Sequence, residues 1–176
     1  MSESYELIKR FYGTKTAKRS GVPLINHINE GLIILDHIGA NQETKDAYCL
    51  HPIYQNDENL LNYKLVETEL ICGGTKNLAT IILYALEYRS VANEYLSAKV
   101  NFAQGGVDHI RLSPIHEVNQ MLIADKVQNY KDFEIYHQNT HERSKELTFY
   151  FTQWLMRLGI SDEQFKNFKR ILNGRT

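Results

Sequence analysis

Apolar residues recur at intervals of three and four along nearly the whole chain, and no segment sustains a period of two. That pattern predicts amphipathic helices rather than strands. Leu24, Ile28, Leu32, Leu35 and Ile38 mark one face of a helix from about Pro23 to Ile38, with Pro23 at a first helical position and Gly39 as its stop. Asn41 is placed to cap a short helix carrying Ala47 and Leu50, and Pro52 is expected to end it because proline lacks the amide the helical ladder needs. Glu58 to Leu70 reads as another short helix, closed by Gly73 and Gly74. Thr75 then caps a long helix through Leu78, Ile82, Leu86 and Ala92 to about Leu96, and Asn101 to Asp108 is a loop. Ser113 and Pro114 open a helix to about Phe133, and Thr140 caps one containing Phe149, Tyr150, Trp154 and Leu158. Ser161 to Gln164 has the pattern of a capping box for a last helix. The expected fold class is all-α, with residues 1–176 forming a single domain of seven or eight helices.

Three polar residues interrupt faces that this pattern assigns to the interior. His27 shares a face with Leu24, Ile28 and Gly31, and His51 follows Ala47 by one turn. Asp125 follows Met121 by one turn, three positions after Leu122. A carboxylate buried without a partner is costly. A metal ion is one natural partner, and two histidines with one carboxylate form a ligand set for it. A lysine or arginine is an equally natural partner for Asp125, and a lone helical histidine is more often a hydrogen-bonded core residue. Lys126 is adjacent in sequence to Asp125 but projects on another face of an ideal helix. His137 and His141 have a zinc-compatible i,i+4 spacing, yet Thr140 reads as a cap between them. Asp36 and His37 project from a helix end and read as solvated.

Composition narrows the function classes. Lys plus Arg number 20 against 21 Asp plus Glu, so the chain lacks the basic surplus that bulk nucleic-acid binding requires. Cys49 and Cys72 have neither CxxC nor finger spacing, and read as reduced thiols that pack in the interior. The amino-terminal segment is acidic and has no apolar signal region, and the apolar stretch Asn77 to Leu86 is too short to span a bilayer. A protein without a membrane partner, working in the cytoplasm, is the expectation.

The stretches KRSGVPLINH (18–27), IGANQETKDAYCLHP (38–52) and MLIADKVQNYKDF (121–133) resemble the HD-domain superfamily, and within it the RelA/SpoT-type alarmone hydrolase branch. The shared pattern is a basic pair before a glycine-x-proline turn and a histidine, then a second histidine, then an ADK-type helix with an asparagine four residues after the aspartate. The chain also resembles HD-superfamily proteins of large tailed phages, in which HPxxQxD, EYRSVAN and ADKVQN recur; a phage origin would place it in the host cytoplasm. The resemblance implies a metal-dependent phosphohydrolase acting on a nucleotide or small phosphate ester. Its implied ligands for one divalent ion (Mn, Fe, Zn or Mg) are His27, His51 and Asp125. Lys18, Arg19 and Asn129 also stand at matching positions, and with the cations Arg89 and Lys126 they are the candidate substrate-binding residues.

The departures from the family pattern bear on activity. Where the superfamily has the aspartate after its second histidine, this chain has Pro52, which offers no ligand atom. Where the alarmone hydrolases carry an acidic pair, it has Gln55 and Asn56; Asp57 lies just beyond. Three outcomes are open: a hydrolase that uses the remaining triad, a catalytically inactive nucleotide-binding or regulatory protein, and a helical interaction protein. Glu87, Arg89 and Asn93 interrupt an apolar segment and read either as a solvated stripe or as a polar wall of the pocket. Phe149, Tyr150, Phe151 and Trp154 read as core or as an interface.

Overall fold

The computed structural model describes residues 2–55, 63–92 and 110–174. Among them the chain forms eight helices and no strand: α1 (Glu3–Tyr12), α2 (Ile25–His37), α3 (Gln42–Gln55), α4 (Tyr63–Cys72), α5 (Leu78–Ala92), α6 (His116–Tyr136), α7 (Ser144–Arg157) and α8 (Asp162–Asn173). The all-α expectation holds. No helix among the described residues is long and apolar enough to cross a membrane. The loop expected at Asn101 to Asp108, Asn93, and the ends of two expected helices (58–62 and 93–96) lie outside the described residues.

The helix ends follow local chemistry, with several corrections to the expected boundaries. The Asn41 side chain accepts hydrogen bonds from the Thr44 amide (2.8 Å) and hydroxyl (2.7 Å), so it caps α3 as expected. Ser161 and Gln164 form the expected capping box of α8. Helix α1 precedes the first element the periodicity marks; Ser2 caps it by accepting from the Tyr5 amide, and it buries Leu7 and Ile8. Thr75 does not cap α5, which starts at Leu78 after Asn77, a residue with φ of 54°. The Ser113 hydroxyl accepts from the Ile115 amide, in a turn clasped by Asn119, so α6 begins at His116 and continues past Phe133. Thr140 belongs to the turn after α6, and α7 starts at Ser144.

The largest correction concerns Pro52. It lies inside α3, which runs on to Gln55. A proline at this position leaves the carbonyl of the residue four before it, Tyr48, without its helical donor. That carbonyl instead accepts from Nδ1 of His51 at 2.6 Å. The side chain supplies the bond the backbone cannot, and the helix is not broken.

Packing brings three helices together at one place. Helix α3 packs most extensively on α5, and α2 on α6. The core includes Ile28, Leu35, Tyr48, Ile53, Ala85, Tyr88, Met121, Leu122 and Trp154, all fully buried or nearly so. Tyr150 and Trp154 are buried, and Tyr130, Phe151 and Phe165 stack with ring centroids 5.2 and 4.9 Å apart, so these rings of α7 pack into the core, whereas Phe149 is half-buried outside it. Cys49 is buried as expected, whereas Cys72, at the last turn of α4, is exposed. Gly31 allows the close approach of α2 and α3: a Cβ there would fall inside the Tyr48 ring and hydroxyl. Gly31→Ala is therefore expected to destabilise the fold by about 1–3 kcal/mol, the usual cost of overpacking. Chemical denaturation measures it, and a shift within a few tenths of a kcal/mol would contradict this packing.

Candidate metal centre

Two histidines and one carboxylate arrive at a single point from three helices. His27 comes from the first turns of α2, His51 from the last turn of α3 and Asp125 from the middle of α6. His51 Nε2 lies 3.3 Å from His27 Nε2, and Asp125 Oδ1 lies 3.5 Å from His27 Nε2. The three ligand atoms all fall within 4.8 Å of one another, and no other such cluster exists among the described residues. Ligands placed about 2.1 Å from a tetrahedral ion stand about 3.4 Å apart, so the two measured edges fit that spacing.

The surroundings of each ring determine which nitrogen faces this point. His51 is buried, lies between the rings of Tyr48 and Tyr88 (centroids 4.7 Å on each side), and donates from Nδ1 to the Tyr48 carbonyl. His27 Nδ1 lies 2.7 Å from Oε1 of Gln128. When both rings are neutral, both Nε2 atoms are bare and face each other and a carboxylate oxygen. A proton or a metal ion suits the space between them, and the Tyr48 hydroxyl, 3.4 Å from His27 Nε2, is a neutral donor that also reaches it. Metal-binding histidines commonly donate their second nitrogen to a carbonyl or carboxylate, as both rings do here. The residues present therefore fit a single divalent ion.

Asp125 is almost fully enclosed. Its Oδ1 accepts from Asn129 Nδ2 at 2.8 Å, and its Oδ2 pairs with Lys126 Nζ at 2.9 Å. The expectation that Lys126 points elsewhere is corrected: its long stem folds back, and the ammonium also sits over the rings of Trp154 (4.9 Å) and Tyr150 (5.6 Å). Burial alone would raise the Asp125 carboxyl, but Lys126, His27 and His51 outweigh it and hold the group down at about 2. Burial likewise opposes the charge on Lys126, and Asp125 more than restores it. For His51, burial and the neighbouring His27 lower the ring to about 3.

These shifts predict an acid-sensitive fold. His51 has its ordinary value near 6.5 in the unfolded chain, so below that pH protons bind the unfolded state preferentially. The thermal midpoint of the metal-free protein is expected to be flat above pH 6.5 with respect to this group and to fall progressively towards pH 3. Protonation of Asp125 adds to the loss as pH drops from 3.8 towards 2. His51→Asn should flatten the upper part of the profile; an unchanged slope in that variant would refute the assignment.

A cavity of about 420 Å³ opens onto the triad. The loop between α1 and α2 supplies one wall through Ala17, Ser20, Val22 and Pro23, and is closed by hydrogen bonds from Ala17 to Val22 and from Leu24 to Lys15. Tyr12, Tyr150 and Phe151 supply aromatic surface, and Pro52, Gln55, Asn129 and Asp132 complete the lining that bears on the chemistry. Of the expected substrate-binding residues, Lys126 and Asn129 line this cavity. Lys18 and Arg19 are exposed, and Arg19 faces a separate groove with His137, Thr140 and His141. Arg89 directs its guanidinium to the Tyr54 carbonyl at 3.4 Å, and Glu87 accepts from the Ser113 hydroxyl at 2.9 Å, so these two tie helices together. Asp36 is exposed and pairs with Lys45. Asn56 and Asp57 lie outside the described residues.

Sequence reasoning passed over Gln128, Tyr48 and Tyr88. The available signal was the face of α6 bearing Gln128, Lys131 and Asp132, whose spacings of three and four put polar groups beside Asp125. No protein-family model, curated protein or solved structure matches the chain.

Proposed function

We propose that this chain is an HD-type, metal-dependent phosphohydrolase-like protein acting on a nucleotide or another small phosphate ester. The observation that carries the reading is the convergence of His27 Nε2, His51 Nε2 and Asp125 Oδ1 at the floor of an open cavity, with each histidine Nδ1 committed to an acceptor. His27, His51 and Asp125 would hold one divalent ion, with Mn, Fe and Zn suiting two imidazoles better than Mg. A bound ion supplies Lewis-acid polarisation of a phosphoryl group and acidifies water.

The chain's own residues have distinct tasks in this reading. Asn129 orients the Asp125 carboxylate, and Lys126 reduces its charge so that an anionic ester can approach. Tyr12, Tyr150 and Phe151 offer apolar surface to the organic part of the ligand, and 420 Å³ lies within the usual range for a small-molecule site. The test is phosphate release from a panel of nucleotides and phosphoesters after loading with Mn, Fe, Zn or Mg. Release that depends on the metal and is lost in His27→Ala supports the reading; equal release by both proteins contradicts it.

A second reading, an inactive nucleotide-binding or regulatory protein of the same fold, draws on Pro52, which lines the cavity where the superfamily has a carboxylate. Pro52→Asp returns an oxygen ligand beside His51, while the Tyr48 carbonyl has a second lone pair for the restored amide. It is expected to tighten metal binding at least tenfold, measured by competitive titration against a chromophoric chelator. Nucleotide binding with no turnover in the native chain, together with turnover in Pro52→Asp, would favour this second reading.

A further inference from the structure

We propose that Gln128 is a positioning residue that locks the tautomer of His27, keeping its Nε2 bare toward the triad. Gln128 lies on α6 and is buried. Its amide nitrogen donates to Asp132 Oδ2 at 2.7 Å and to Glu30 Oε2 at 3.1 Å. Both partners are carboxyl groups paired with the Lys131 ammonium, and they serve as acceptors to the amide. Lys131 holds the two of them in place, with its ammonium 2.7 Å from Glu30 and 2.8 Å from Asp132. The amide therefore has one orientation. A flip would put its oxygen against two carboxylates and its NH2 against His27.

With the nitrogen committed, Oε1 is what meets His27 Nδ1 at 2.7 Å. A carbonyl oxygen only accepts, so Nδ1 carries the proton and Nε2 of the neutral ring is bare. The Tyr48 hydroxyl, 3.4 Å from Nε2, can donate to the bare nitrogen, but without Gln128 nothing holds the proton on Nδ1. A proton on Nε2 would donate to His51 Nε2 at 3.3 Å or to Asp125 Oδ1 at 3.5 Å, and would close the triad with internal hydrogen bonds. Glu30, Lys131, Asp132 and Gln128 thus act together through one ring nitrogen, although Gln128 and Asp132 also line the cavity. The role of the lock in metal binding rests on the function proposed above; the tautomer itself does not.

The experiment is nitrogen–proton correlation spectroscopy of the histidine rings in the metal-free protein, in mildly alkaline buffer, alongside zinc titration. In the native chain His27 is expected to show a protonated Nδ1 and a bare Nε2. Gln128→Leu should move His27 to the Nε2-protonated form and weaken zinc about 10–100-fold. His51, held by the Tyr48 carbonyl, should keep its pattern and serves as an internal control for folding. A native His27 protonated on Nε2, or a tautomer unchanged in Gln128→Leu, overturns the proposal, and the first needs no variant to fold. A switched tautomer with no zinc bound by the native chain would uphold the lock and refute the metal-dependent function.

Discussion

Asp125→Ala is expected to abolish metal binding and to destabilise the protein by about 3–5 kcal/mol, the usual range for breaking a buried ion pair from one side. The reason is Lys126. Its ammonium is buried, and the Asp125 carboxylate at 2.9 Å is its ion-pair partner in the site. Removing the carboxylate leaves the charge over Trp154 and Tyr150, whose ring faces offset only part of the cost of desolvation. Asn129 loses its acceptor as well. Two effects are thus combined in one substitution, and a second variant separates them. Asp125→Ala with Lys126→Met removes both charges and should regain most of the lost stability while still binding no metal. Chemical denaturation and metal analysis on both variants check this. Native-like stability in the single variant would mean that Lys126 finds another partner, and native-like metal content would remove Asp125 from the ligand set.

The next largest effect is expected at Trp154. Its side chain is fully buried where α7 packs over α6, and it forms the floor beneath Lys126. Trp154→Ala should cost about 3–5 kcal/mol through lost burial and the cavity left behind. It also gives the ammonium room to move off Asp125, so metal affinity is expected to change together with stability. Trp154→Phe keeps a ring under Lys126 and should cost less than half as much. A loss below about 1 kcal/mol in the alanine variant would show that α7 is not the cover this packing makes it.

The triad itself is legible in the sequence. His27, His51 and Asp125 each interrupt an apolar face, and a buried ionisable group calls for a partner. The caps at Asn41 and Ser161 were legible for a related reason: their bonds are local, made within three residues. What sequence pattern mishandled depended on long-range or compensating contacts. Pro52 reads as a helix stop because its missing amide is a local fact, whereas the His51 side chain that compensates for it is visible only once the ring is placed. Lys126 reads as facing away from Asp125 because helical spacing ignores the reach of a four-carbon stem and the two aromatic rings from α7 that hold it. Arg19 and Arg89 carry the right charge for a phosphate site, but charge does not say where a side chain lies. One faces another groove and the other braces Tyr54. Gln128 signals only through its place on the polar face of α6 with Lys131 and Asp132, since an amide becomes informative when both of its ends have partners.

The central claim is that His27, His51 and Asp125 hold one metal ion. Elemental mass spectrometry of protein purified without an affinity tag or chelator tests it most directly, with His51→Ala carried alongside. About one transition-metal ion per native chain, lost in the variant, is the expected result given a ligand set of two imidazoles and a carboxylate. No metal in the native chain, even after incubation with Mn, Fe or Zn, would contradict it.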